Sequence, residues 1–125
     1  MKGLKFKQGD FHFIVEVKYV LHVASKSDVE DDLREIKSVN FQKLLNTGSE
    51  SEEVIFLGRD DNIVAMIVEK VIEVSEIGEV FPFEKDIFVI EFIKGMVKYN
   101  GIIYYLIDFE KITEVDYEEE SPSNR

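Results

Sequence analysis

Apolar residues recur along much of this chain at every second position, the spacing that turns one face of an extended strand toward a core. Leu4 to Phe6 opens the series, and Gln8-Gly9-Asp10 punctuates it as a turn. Phe11, Phe13, Val15 and Val17 then alternate with His12, Ile14, Glu16 and Lys18, which predicts a half-buried strand. Val20 and Val23 continue the apolar series at a wider spacing, so a bend is expected there.

The pattern changes between Ser25 and Glu53, which is polar, acidic and poor in aromatics. Ser27-Asp28-Val29-Glu30 has the spacing of a helix capping box, and Val29, Leu33 and Ile36 follow at helical spacing. Phe41, Leu44 and Leu45 form a second apolar cluster, so at least one short helix is expected. Asn46 to Glu53 has the composition of a flexible loop.

Strand character returns with Val54 to Leu57, a turn at Gly58 to Asn62, and Ile63 to Val68. Val71, Ile72 and Val74 extend this into a hairpin with a long second arm. Gly78 and Pro82 punctuate the next connection. Phe88 to Ile93 leads through Gly95 to Met96-Val97-Lys98-Tyr99, then Asn100-Gly101, then Ile102 to Ile107. Asn-Gly between two apolar runs is a strong hairpin signal, because a type I′ turn needs positive φ at both central residues. Asp108 to Ile112 reads as one helical turn closing the domain. Residues 114–125 carry five acidic side chains, a proline and two serines, and are expected to form a disordered tail.

Composition narrows the function classes. The 125 residues fit one domain, and ten Phe and five Tyr join the Val and Ile that favour pleated surfaces. No cysteine is present, which excludes disulfides and thiolate chemistry and favours a reducing cytosol. Lys5, Lys7, Gln8 and Asp10 interrupt any apolar region after the basic start, so neither a signal peptide nor a membrane span is read. A net charge of −11 argues against nucleic acid and anionic membrane surfaces, and suits either solubility alone or a basic protein partner.

Candidate chemistry is sparse. His12 and His22 are too far apart along one strand to share a metal. Asp60 and Asp61 are neighbours in a turn, where a catalytic pair needs opposed positions. Asp28, Glu30, Asp31 and Asp32 suggest calcium, but a loop starting at Asp28 would need glycine at Leu33 and glutamate at Val39. No phosphate-binding glycine loop or nucleophile elbow occurs. Neither an enzyme nor a cofactor is expected, although a small β-barrel enzyme or ligand carrier remains an alternative.

Several stretches, in order, resemble the CheW-like domain of bacterial chemotaxis signalling. They are Phe6-x-x-Gly9 with Phe13-x-Val15-x-Val17-x-x-Val20-x-x-Val23, the run Ile63 to Val74, and Phe92-Ile93-Lys94-Gly95-Met96-Val97 with Asn100-Gly101 and Leu106 to Ile112. The middle departs from the family: Arg34 stands at an arginine position without its following glycine, Ser38 stands where proline is usual, and His22 stands where glutamate is common. An ion pair between positions 22 and 34 is therefore weak or lost.

The resemblance implies a mainly β fold with one or two short helices, built as two small packed β-barrel subdomains. It implies a single domain over residues 1–113, with an altered or partly helical insert at about 26–53. It further implies a cytoplasmic, non-enzymatic adaptor, monomeric in isolation, coupling a methyl-accepting chemotaxis receptor tip to the regulatory domain of a CheA-type histidine kinase. Val20, His22, Val23, Arg34, Val71 and Val74 are the protein-binding residues that the resemblance suggests. A divergent module that binds one partner only, or serves another signalling system, is the alternative.

Overall fold

The computed structural model describes residues 1–82 and 90–114. Nine strands form two sheets among these residues: β1 (Lys2–Gln8), β2 (Phe11–Glu16), β3 (Val20–Ser25), β4 (Ser38–Asn40), β5 (Glu53–Arg59), β6 (Asn62–Val68), β7 (Lys70–Glu76), β8 (Ile93–Tyr99) and β9 (Ile102–Ile107). Three short helices accompany them: α1 (Glu30–Leu33), α2 (Phe41–Leu45) and α3 (Phe109–Glu114). The first sheet has the order β7-β1-β2-β9-β8 and the second β3-β5-β6-β4. The chain crosses between sheets through the 3-10 turn Val17–Tyr19 and again through Glu69, between β6 and β7.

The core lies between the sheets. Leu4, Phe6, Phe13 and Val15 meet Ile55, Leu57, Val64, Met66 and Val68, all buried. Phe41, placed by α2, packs edge-on against Phe6 (5.5 Å) and Phe13 (5.2 Å), while Phe6 stacks on Phe13 at 5.3 Å. Such aromatic pairs bind at offset or perpendicular geometry beyond their buried area. Tyr19 stacks on Phe109 at 4.5 Å, tying the 3-10 turn to α3.

Each sheet also encloses a smaller cluster on its other face. Ile14, Val97, Tyr104 and Leu106 form one, and Val29, Val54, Phe56, Ala65 and Ile67 the other. Strand β2 is therefore buried on both faces rather than half-buried: Ile14 is fully buried and Glu16 is nearly so. Its central position, with β1 on one side and β9 on the other, is the reason.

The expected barrels are instead two small packed sheets. Neither strand order returns to its first strand among the described residues. The first sheet curls far enough for Phe81 and Met96 to exchange two backbone hydrogen bonds of 2.8 and 2.9 Å, one isolated bridge between the chain after β7 and strand β8.

Other expectations are corrected in the middle of the chain. Residues Val71 to Val74 are not the second arm of a hairpin; they lie in β7, which pairs with β1 in the opposite sheet. The capping box does not form, because Ser27 sits inside the 3-10 turn Lys26–Asp28 and Val29 precedes α1 without a side-chain cap. Asn40 caps α2 instead, its Oδ1 accepting from the N–H groups of Gln42 (3.0 Å) and Lys43 (3.3 Å).

The segment from Asn46 is pinned rather than loose. Buried Gln8 donates from Nε2 to Thr47 Oγ1 (2.9 Å) and to the Ser49 carbonyl (2.7 Å), and its Oε1 accepts from Ser51 Oγ (2.9 Å). The Asn100-Gly101 hairpin forms as expected, with φ of 49° and 83° at the two residues. The beginning of the run from Phe88, and the tail beyond Glu114, lie outside the described residues.

Candidate docking surface

Strands β3 and β7 end their respective sheets, and five of the six candidate residues stand on them. Residues directly opposite across an antiparallel pair point to the same face. Val20 lies opposite Leu57 and Val23 opposite Ile55; Val71 lies opposite Phe6 and Val74 opposite Leu4. All four partners belong to the core between the sheets. The four valines therefore occupy the inward-facing rows of the two end strands.

Their exposure divides them. Val20 and Val71 are half-buried and pack against the core. Val23 is 39% exposed and Val74 52%, so these two are the accessible members of the rows. His22 points the other way: it lies opposite Phe56, its ring stacked at 6.1 Å with an interplanar angle of 26°. His12 lies in β2 of the other sheet, edge-on to Tyr104 at 5.2 Å, so the two histidines are separated by the fold. Arg34 stands at the end of α1, exposed, and its ion pair (3.6 Å) is with Asp31 rather than with position 22.

A carboxylate links the two strand systems. Glu53 pairs with Ser25 of β3 in the backbone ladder, while its Oε1 accepts from the N–H of Val71 at 2.5 Å. The start of β7 is thereby held beside the strand next to β3. Ser49, Glu50, Glu52, Glu53, Glu69 and Lys70 line an open depression at this junction. Two of its carboxylates are already engaged: Glu53 by the Val71 N–H, and Glu69, which accepts from the Gly9 N–H (2.8 Å) and faces Lys7 at 3.8 Å.

Behind β7, Lys5 is buried with its Nζ 3.9 Å from the Tyr99 ring centre and 3.5 Å from Glu73. A cation over an aromatic face is attracted by the ring quadrupole, which offsets part of the cost of burying the ammonium. Burial pushes the Tyr104 hydroxyl above its ordinary pKa, and the Glu73 charge adds to the effect. Burial does the same for Tyr99, reinforced by Tyr104 and Glu76, while a backbone hydrogen bond at Gly78 pulls the other way. These contacts anchor Glu73 on the outer face of the strand that displays Val74.

Among the exposed apolar residues that the sequence reading missed are Leu21 (58%), Ile63 (45%) and Ile72 (39%). Leu21 and Ile72 fall where the strand register shifts, so neither fits the alternation used to find inward positions. The Leu21 side chain lies across Gly58, its Cδ1 2.5 Å from where a β-carbon would stand, and Ile63 is the partner of Gly58 in the ladder. The glycine was the available signal: in mid-strand it marks the close approach of another group.

No family model and no curated protein matches the chain. Among solved structures it is similar to the scaffolding protein TtCheW from Thermoanaerobacter tengcongensis, with a TM-score of 0.68 and 17% identity over 98% of this chain and 94% of that one. At this identity the likeness is one of fold: a CheW-like arrangement of two packed sheets with few short helices.

Proposed function

We propose that this chain is a non-enzymatic CheW-like adaptor that joins a chemoreceptor tip to the regulatory domain of a CheA-type histidine kinase in the cytoplasm. The observation that supports this most is the whole-length similarity of its fold to a scaffolding protein. Val23 and Val74, accessible on the two end strands, are the apolar positions that such docking would use. Val23 and Val74 are the docking residues. His22 borders them on the other face of β3, and Val20 and Val71 support them from the core side. Arg34, exposed at the end of α1, contributes a charged contact at the rim. Residues 1–113 act as the adaptor unit.

Titration calorimetry of the full chain against the kinase regulatory domain and, separately, a receptor tip fragment tests this. Binding to both is expected, with Val23→Asp and Val74→Asp each weakening at least one interaction by about tenfold or more. Binding to the kinase alone would select a divergent single-partner module. Binding to neither would overturn the adaptor function.

A further inference from the structure

The four end strands differ in how they are protected. An end strand displays a row of unpaired backbone N–H and C=O groups, and proteins guard such rows with charge, brevity or bulges. Strand β7 carries Lys70, Glu73 and Glu76; β8 carries Lys94 and Lys98; β4 is three residues long. Strand β3, Val20-Leu21-His22-Val23-Ala24-Ser25, carries no Asp, Glu, Lys or Arg, in a chain where 33% of residues are charged. Its register shift falls between Val20 and His22, which leaves His22 to Ser25 as a regular run against Phe56 to Glu53. Among the described residues β3 pairs with β5 alone.

We infer that the free edge of β3 takes up an extended, lysine- or arginine-bearing segment of a partner protein by strand addition. This deepens the adaptor function by giving the β3 half of the docking surface its mode of contact, and it rests on that function for its partner. Backbone pairing along His22 to Ser25 supplies affinity, and apolar side chains on the incoming strand rest beside exposed Val23.

Charge selects the occupant. Directly after β3 come Asp28, Glu30, Asp31, Asp32 and Glu35, with Lys26 and Arg34 as the only cations of that stretch. Val29 and Leu33 pack with Ala24 in one cluster, so this acidic segment is held against β3. Glu52, whose carbonyl accepts from the Lys26 N–H at 2.9 Å, adds a further exposed carboxylate at the same end. A second copy of a chain with net charge −11 would be repelled there, whereas a basic strand is drawn in.

The test uses the isotope-labelled full chain and the capped synthetic peptide Lys-Val-Thr-Val-Lys-Val-Thr-Lys. Amide shifts confined to Leu21 to Ser25 and their neighbours in β5 are expected. Replacing the peptide lysines by glutamate, N-methylating alternate backbone nitrogens, or introducing Val23→Lys in the protein should each weaken binding about tenfold. Full-strength binding of both N-methylated registers, shifts mapping elsewhere, no binding, or concentration-dependent pairing of β3 with a second copy would each overturn the inference. If the peptide fails while kinase and receptor still bind, strand addition falls and the adaptor function stands. If the peptide binds β3 while both partners fail, the reverse holds.

Discussion

Gln8 joins residues far apart in the chain: its side chain bonds Thr47, Ser49 and Ser51, which lie 39 to 43 positions away. A sequence read by local composition sees a turn at Gln8 and a loop at Asn46 to Glu53, and neither hint reveals that they are one buried network. Gln8→Leu removes both donors and the acceptor and leaves Ser51 Oγ and the Ser49 carbonyl without it. Unsatisfied buried polar groups carry a desolvation penalty, so a loss of about 2–3 kcal/mol is expected in urea unfolding. The valines were legible as a set and illegible in their division. The V-x-x-V spacing located all four, but only the register and exposure separate Val23 and Val74 from Val20 and Val71. Val71→Asp is therefore expected to destabilise the fold by about 2–3 kcal/mol, because it sets a carboxylate against the core. Val23→Asp should change stability by less than about 1 kcal/mol while weakening partner binding. Unfolding midpoints of the two variants check this directly.

At the level of elements, the strands with a turn signal at each end were read well. Asn100-Gly101 and Gln8-Gly9 demand positive φ, and the structure supplies it at Asn100, Gly101 and Gly9. The middle was harder because the helices there are four and five residues long, too short to show a helical period. A helix of that size depends on its cap and its packing. Asn40 holds two N–H groups of α2, and Asn46 ends the helix at φ 55°. Asn40→Ala is expected to cost about 1 kcal/mol by loss of the cap, measurable in thermal unfolding. The departure of β7 into the other sheet left no local trace, since Glu69 alone separates the two strands and either pairing satisfies the alternation.

For the whole molecule, the class was legible from the aromatic, β-branched composition and the ordered motifs, whereas the openness of the sheets was not, since closure depends on pairing between strands distant in sequence. The clustered tyrosines give the fold a pH dependence. Tyr99 and Tyr104 have folded-state pKa values above their ordinary 10.0, so the folded chain retains protons that the unfolded chain releases. Their stabilising contribution is fully present below 10.0 and is lost as pH rises through the raised values. Stability should fall on the alkaline side, and Tyr104→Phe should flatten that fall in denaturant titrations across pH.

The central claim is coupling, and it is tested most directly by size-exclusion chromatography of the kinase regulatory domain, a receptor tip fragment and this protein together. Coelution of all three, with no kinase–receptor coelution when this protein is omitted, is the expected result. Kinase and receptor that stay apart in its presence would contradict the account.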